Sequence, residues 1–210
     1  MIPSLVLNPR GTSGSGKTHT VNSIISHFGV SKRLLKTGTK KTAGYVLKGD
    51  IYVMGSYEIA CGGADTVKTQ DEVCAKVRQR AKKHKFVVFE GVLVSDVFGR
   101  YLELSKSVYP DALYIWGILD TPLDLCIKRV IQRRESKGNH KPFDPKKHTT
   151  PRFEKVQRGM ANAIKEGQLV VLLDHRCAGE QAVNIIENRK FPKGRTYNLD
   201  KFEKAGIRYG

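Results

Sequence analysis

Eight consecutive residues near the start of the chain have the types and the spacing of a phosphate-binding loop. The pattern G-x-x-x-x-G-K-[ST] is met by Gly11, Thr12, Ser13, Gly14, Ser15, Gly16, Lys17 and Thr18. Glycines at these spacings let successive backbone N–H groups point into one concavity, where a following helix also aims its N-terminus. Lys17 is expected to reach the β- and γ-phosphates as a catalytic residue, and the Thr18 hydroxyl is expected to bind Mg²⁺. The sequence therefore predicts ATP or GTP as ligand and Mg²⁺ as cofactor.

A carboxylate closes an apolar strand farther along the chain. Glu90 follows the apolar residues of the run FVVFEG, residues 86–91. In a phosphate-loop fold, a carboxylate at such a strand end lies beside the loop, near Mg²⁺ and the attacking group. Glu90 is therefore predicted to be catalytic and, with Thr18, to hold the metal. An ordinary acidic residue at a strand end is the alternative.

The segment GSYEIACGGADT, residues 55–66, is the second candidate for chemistry. Gly62 and Gly63 predict a turn without side chains, and Asp65 follows it as a candidate acceptor ligand or general base. Tyr57 offers a ring on which a base could stack. Loops at the carboxyl ends of parallel strands form the usual ligand crevice, so these four residues are predicted to bind substrate. A glycine turn with a solvated aspartate is the alternative.

A basic arm follows in the second half of the chain. Residues 128–158 contain eleven lysines and arginines against three acidic residues. Arg129 and Arg133 lie four residues apart, on one face of a predicted helix. Arginine forks neutralise the charge that spreads over the oxygens of a phosphoryl group in transfer, so both are predicted to be catalytic, with Arg134 as the next candidate. A solvated cationic face is the alternative.

The overall charge points to a polyanionic partner. Lysine plus arginine is 37 against 20 acidic residues, a net charge of +17, and the isoelectric point is about 9.8. Such a surplus favours a nucleic acid as partner, although basic composition alone can be a general property of a chain. The basic stretch 32–48 and the tail from residue 190 are further candidates, as groups, for contact with a nucleic-acid backbone.

The expected location of the protein and the state of its cysteines follow from the short apolar runs and from the cysteine spacing. The longest apolar run, residues 112–119, is too short for a membrane span, and nothing resembles a signal peptide, so no membrane partner and a cytoplasmic location are expected. The four cysteines have no C-x-x-C spacing, which favours reduced thiols over a zinc site; they are Cys61, Cys74, Cys126 and Cys177.

Strands that alternate with helices must position these residues. Strands are predicted over 4–8, 85–91, 112–120 and 168–174, with two short strands in 45–57 that turn at 48–50. Helices are predicted over 17–28, 69–83, 121–134, 151–166 and 178–189, and a mobile loop over 135–150. This order predicts a single α/β domain over residues 1–210, a three-layer α/β/α sandwich with a parallel central sheet. A basic lid at about 133–152 and a basic tail at about 190–210 complete it.

Several of these motifs together resemble a known family. The phosphate loop, the FEG strand and LDTPLDLCIKRVIQRR with a lid-like loop behind it resemble the nucleotide-kinase group of phosphate-loop proteins, over roughly residues 4–175. Within that group, GSYEIACGGADT and the charge look similar to the small phage-encoded kinases that phosphorylate 5-hydroxymethyluracil in DNA. The resemblance implies transfer of the γ-phosphate of ATP to the hydroxymethyl oxygen, with DNA that contains this modified pyrimidine as substrate, in the host cytoplasm.

Other functions are also compatible with the sequence. A thymidylate-kinase-like enzyme would usually carry an acidic-arginine motif after its second strand, where this chain has residues 57–65 instead. A deoxynucleoside monophosphate kinase and a 5′-hydroxyl polynucleotide kinase are the enzymatic alternatives. A DNA-binding accessory NTPase is the non-kinase alternative. The donor base is expected near His175 and Arg176, after the strand VVLLD.

Overall fold

The computed structural model describes residues 3–58, 62–139 and 144–210, and within them eight strands form one sheet. The five central strands are parallel. In spatial order they are β4 (Ile51–Met54), β5 (Phe86–Val88), β1 (Ser4–Arg10), β6 (Ala112–Leu119) and β7 (Leu169–Leu173). Antiparallel strands extend the sheet beyond β4 and β7; these are β3 (Thr42–Leu47), β2 (Val30–Leu35) and β9 (Thr196–Tyr197). The predicted parallel central sheet is thus confirmed, and antiparallel strands extend it at both edges.

Helices cover both faces of the sheet. One apolar cluster packs α1 (Lys17–Phe28) and α7 (Ala178–Asn188) against one face, and a second packs α2 (Gln70–Ala81), α4 (Gly99–Val108) and α6 (Pro145–Lys165) against the other. Two more helices lie in the same connections: α3 (Val92–Asp96) precedes α4, and α5 (Leu123–Glu135) precedes α6. The fold is α/β with a mostly parallel central sheet, and its layers match the predicted sandwich. None of the described helices has the length and apolar character to cross a bilayer.

Several local predictions are confirmed. Residues 48–50 turn the hairpin between β3 and β4, with Gly49 and Asp50 both at positive φ. The helix predicted over 69–83 is present as α2, where the Thr69 side chain accepts a hydrogen bond from the Glu72 backbone N–H, as a helix N-cap does. The thiols of Cys74, Cys126 and Cys177 are free, and Cys61 lies outside the described residues.

The predicted loop over 135–150 is too long. Helix α6 begins at Pro145 rather than at residue 151, because the Asp144 carboxylate accepts the Lys147 backbone N–H and Pro145 occupies the first turn. Pro151 lies inside this helix. The lid predicted at about 133–152 therefore includes the start of α6, while residues 140–143 lie outside the described part of the chain.

Two further segments were not predicted as regular structure. The basic stretch after α1 begins with the edge strand β2. The tail forms β8 (Lys190–Phe191), β9, a 3-10 helix (Leu199–Ala205) and β10 (Arg208–Tyr209), with Phe191 and Leu199 buried in the core. These elements are too short to show a period, and their pairing partners are distant in sequence.

The carboxyl edge of the parallel sheet brings the candidate residues together. The glycine-rich loop follows β1, residues 55–66 follow β4, and Glu90 follows β5. Because the three strands are parallel and adjacent, with β5 between β4 and β1, their carboxyl ends meet at one edge.

Candidate active site

The loop between β1 and α1 needs glycine at two positions. Gly14 has φ +83°, and a Cβ there would lie 2.3 Å from the backbone oxygen of Cys126. Gly16 is the N-cap of α1 with φ +102°. Both conformations are left-handed, where a side chain costs about 1–2 kcal/mol. The loop conformation is thus specific to this glycine spacing.

Hydrogen bonds hold the loop to two other segments. The Ser15 N–H donates to the Thr12 oxygen at 3.2 Å, and the Ser15 oxygen accepts from the Thr121 hydroxyl at 2.7 Å. The Thr12 hydroxyl donates to the backbone oxygen of Thr149 in α6 at 3.2 Å. The loop is therefore fixed to the start of α5 and to α6, the two helices that flank the predicted lid.

Lys17 is buried inside the curve of the loop. Its side chain is 5% exposed, and its Nζ donates to the backbone oxygens of Gly11 at 2.7 Å and Thr12 at 3.0 Å. Desolvation lowers the pKa of the ammonium, and the nearby carboxylates of Glu90 and Asp65 oppose that effect. The loop thus holds a cation that is shielded from water.

Glu90 and Thr18 meet at the mouth of the loop. The Thr18 hydroxyl donates to Glu90 Oε1 at 3.1 Å, and Glu90 is only 2% exposed. Burial raises the pKa of the Glu90 carboxyl to about 7, against the opposing attraction of Lys17 and with repulsion from Asp65 adding to the rise. Hydroxyl and carboxylate oxygens are ligands that Mg²⁺ accepts. The residue types and their proximity fit such an ion.

Asp65 caps helix α3 with both of its carboxylate oxygens. Oδ2 accepts the Val92 N–H at 2.8 Å, and Oδ1 accepts the Leu93 N–H at 3.3 Å. The neighbouring Ala64 N–H donates to the Glu90 backbone oxygen at 2.7 Å. The segment after β4 is therefore fastened directly to the segment that carries Glu90.

The two glycines before Asp65 permit this close approach. Gly63 has φ +72°, and a Cβ there would lie 2.7 Å from Glu90 Oε1. A Cβ at Gly62 would lie 1.9 Å from the backbone oxygen of Ser56. Gly62 lines the cleft, whereas Gly63 lies directly against the Glu90 carboxylate.

Tyr57 differs from the other candidates in that its ring packs against the core. Its ring packs against the core cluster on the α1 and α7 face, 6.4 Å from the ring of Tyr45. Its buried hydroxyl has no hydrogen-bond partner among the described residues, and burial together with the charges of Glu90 and Asp65 raises its pKa. The ring is not among the described cleft-lining residues, so stacking on a base remains a prediction.

A cleft of about 250 Å³ joins most of the predicted residues. Its lining consists of Ser13, Gly14, Gly16, Lys17, Thr18, His19, Gly62, Asp65, Glu90, Val92, Arg129 and Arg133. Arg129 Nη1 also donates to the Gly14 oxygen at 3.3 Å. Arg134 instead points along its helix end to the Asn139 side chain. Of the three arginines, the structure thus brings Arg129 and Arg133 to the cleft, and Arg129 also contacts the loop.

A second cavity, of about 340 Å³, adjoins the cleft. It shares Gly16, His19 and Arg129 with the cleft and is also lined by His175. Arg176 is exposed and forms an ion pair with Asp174 at 2.6 Å. Of the two residues expected near a donor base, His175 lines this cavity.

Sequence analysis missed Arg10, at the end of β1. The residue is 2% exposed, its guanidinium lies 4.5 Å from the centre of the Trp116 ring, and its Nη2 donates to the backbone oxygens of Ser95 and Val97. It joins the base of the glycine-rich loop to the end of α3. A charged residue at the end of an apolar strand, directly before the loop, was the signal that could have identified it.

Fold and site together define an α/β protein with a glycine-rich loop between β1 and α1 and a cleft of ionisable residues at the carboxyl edge of its sheet. No family model matches the chain. Among curated proteins it is 33% identical to the 5-hmdU DNA kinase of Pseudomonas phage PaMx11. The match extends over 161 residues and covers 74% of this chain and 83% of that protein. It is 30% identical to the 5-hmdU DNA kinases of Pseudomonas phage M6 (87% of this chain, 97% of that protein) and Delftia phage PhiW-14 (95% and 80%).

The chain belongs to this family of phage 5-hmdU DNA kinases. The resemblance described from the motifs is thereby confirmed at the level of the family.

Proposed function

We propose that this chain is an ATP-dependent kinase that transfers the γ-phosphate to the hydroxymethyl oxygen of 5-hydroxymethyluracil in DNA. The observation that carries the proposal is the cleft where Lys17, Thr18 and Glu90 meet, in a chain of the 5-hmdU DNA kinase family. Because the relatives are phage proteins, we place the reaction in the host cytoplasm.

The donor would bind along residues 11–18, as a phosphate-binding loop. Backbone N–H groups of the loop and the N-terminus of α1 would hold the phosphates, with the shielded ammonium of Lys17 against them. The base of ATP would occupy the second cavity, beside the rings of His19 and His175. Thr18 and Glu90 would hold Mg²⁺, which when bound neutralises charge on the phosphate oxygens.

The acceptor would enter between Glu90 and Asp65. Its hydroxymethyl oxygen forms a bond to the γ-phosphorus as the bond from that phosphorus to the bridging oxygen of ADP breaks. Glu90 is the stronger candidate for the proton acceptor, because its Oε2 accepts no hydrogen bond from the described residues whereas both Asp65 oxygens accept backbone N–H groups.

Positive charge would stabilise the transferring group. Arg129 and Arg133 line the same cleft as Glu90, and their forks can bind equatorial phosphate oxygens. Asp65 acts in this scheme as a positioning residue, since it fastens residues 55–66, the acceptor segment, to α3.

The proposal is tested with γ-labelled ATP, Mg²⁺ and three kinds of acceptor: ordinary DNA, DNA with 5-hydroxymethyluracil, and a panel of deoxynucleoside monophosphates. We expect label on the modified DNA alone. Lys17→Ala should abolish it, and Lys82→Ala, at an exposed lysine on the opposite edge of the sheet, should not.

Each alternative has its own outcome in the same assay. Label on a monophosphate alone would identify a deoxynucleoside monophosphate kinase. Label at the 5′ ends of ordinary DNA would identify a polynucleotide kinase. Release of inorganic phosphate without a labelled acceptor would identify an accessory NTPase. Any of these three results overturns the proposal.

A further inference from the structure

The hairpin formed by β2 and β3 carries a one-sided charge. Residues 30–48 contain no aspartate or glutamate. Their six basic residues are Lys32, Arg33, Lys36, Lys40, Lys41 and Lys48. All of β2 except Leu34 is exposed. The hairpin is therefore a projecting cationic edge of the sheet.

The tip of this hairpin lies at the carboxyl edge, on the same side as the cleft. β3 is antiparallel to β4, so its first residue, Thr42, lies at the end where β4 finishes. Leu35, the last residue of β2, pairs with Thr42. Residues 36–41 therefore extend from the edge at which the glycine-rich loop, Asp65 and Glu90 meet.

Two of the contacts that fasten the hairpin to residues 55–66 come from its basic side chains. Lys36 Nζ donates to the backbone oxygen of Thr66 at 2.6 Å, one residue after Asp65. Arg33 forms an ion pair with Glu58 at 3.2 Å. The tip is thus held beside the residues that would receive the acceptor base.

Three further cations of the hairpin have no counter-charge among the described residues, as is also true of Lys48 at its other end. Lys32, Lys40 and Lys41 are exposed, and within the described ranges none of them forms an ion pair within 4 Å. Lysines on an edge strand also discourage pairing with another chain, which explains a residue such as Lys32. That role does not explain Lys40 and Lys41, which lie in the turn beyond the strands.

We propose that the β2–β3 hairpin binds backbone phosphates of the substrate DNA next to the acceptor base. The inference rests on the proposed function and identifies the surface that binds the DNA. The cleft receives the modified base, while the hairpin lysines hold the flanking strand. Phosphate contacts of this kind position a protein on DNA without reading its sequence.

The test compares two triple variants that lose the same charge. Lys32→Gln, Lys40→Gln and Lys41→Gln neutralise the hairpin and keep Arg33 and Lys36, which fasten it. The matched control is Lys82→Gln, Lys83→Gln and Lys85→Gln, at exposed positions before β5 on the opposite edge of the sheet. Equilibrium binding of a fluorescent DNA of about 30 nucleotides that contains 5-hydroxymethyluracil is measured by anisotropy over a range of salt, with labelling of the same DNA as a second readout.

We expect the hairpin variant to bind at least ~10-fold more weakly and to lose about two to three from the slope of log affinity against log salt, since each phosphate contact contributes about 0.7–0.9. Its turnover at saturating DNA should stay at the wild-type value, and the control should keep the wild-type slope. Equal slopes in all three proteins, or equal losses in both variants, would overturn the inference. Because binding is measured independently of catalysis, a wild-type protein that binds modified DNA without labelling it refutes the proposed function and not the hairpin.

Discussion

Glu90 is the residue at which function and stability should oppose one another. Its carboxyl is buried, so the folded protein favours the protonated form, whereas a proton acceptor must be able to carry the charge. Glu90→Gln keeps the size of the side chain and an oxygen that can accept from Thr18, but removes the titration. We expect this variant to be more stable than the wild type at alkaline pH and to lose about 10²–10⁴-fold in phosphoryl transfer.

The size of the stability effect follows from the pKa. The carboxyl pKa rises from 4.5 to about 7 on folding, and each pH unit of that rise is worth about 1.4 kcal/mol. Between these two values the folded state binds the proton more tightly than the unfolded chain does. The contribution of Glu90 to the free energy of unfolding is therefore fully present below pH 4.5 and is lost as pH rises through 7, about 3 kcal/mol in all.

Urea unfolding of both proteins in EDTA at pH 5 and pH 8.5 measures this difference. Near pH 5 the protonated carboxyl and the amide are close equivalents, so the two free energies of unfolding should be similar. At pH 8.5 the variant should be the more stable by about 3 kcal/mol relative to that starting difference. The comparison of the two pH values cancels any change in the hydrogen bond from Thr18. A difference between the proteins that does not change with pH would refute the reasoning.

Three further substitutions test the elements around the cleft, each by urea unfolding and by labelling of modified DNA. Gly14→Ala should lower the free energy of unfolding by at least ~2 kcal/mol more than Gly138→Ala, because both residues have positive φ but only Gly14 also faces a backbone oxygen at 2.3 Å. Similar losses in the two would show that the loop adapts. Asp65→Ala should cost about 1 kcal/mol and reduce labelling, and Asp65→Asn should recover most of both if the residue is a cap; an inactive Asn variant would instead identify Asp65 as the proton acceptor. Arg10→Met should cost about 2–4 kcal/mol, because two backbone oxygens at the end of α3 lose their donor, and a loss below 1 kcal/mol would show that those oxygens find other donors.

Contiguous patterns in the sequence were sufficient for the centre of the fold. The apolar runs that became β5, β6 and β7 are each continuous in the chain, as strands buried on both faces must be. The period of apolar residues in α1 is equally local. Such patterns predicted the parallel centre of the sheet and its helices, because each depends on residues within one short window.

Prediction was weaker where the apolar pattern of a segment was faint or was masked by charges and prolines. β2 has little apolar pattern of its own and is a strand because it pairs with β3. Helix α6 begins six residues before its predicted start because Asp144 and Pro145 form an N-terminus that the surrounding charges and prolines obscured. The tail is ordered by its packing against β7 and the core rather than by a period of its own.

The same division holds for the candidate site. The sequence by itself determined the residue types: the glycine spacing of residues 11–18, the lysine and threonine that follow it, and a carboxylate at a strand end. Only the tertiary structure decided that Glu90 is buried where it meets Thr18, that Asp65 is a helix cap, that Tyr57 packs against the core, and that Arg129 rather than Arg134 donates to the loop. The physical reason is that a backbone conformation is encoded by adjacent residues, whereas burial, pKa and contact depend on which distant segments pack together, and those exist only once the sheet has formed.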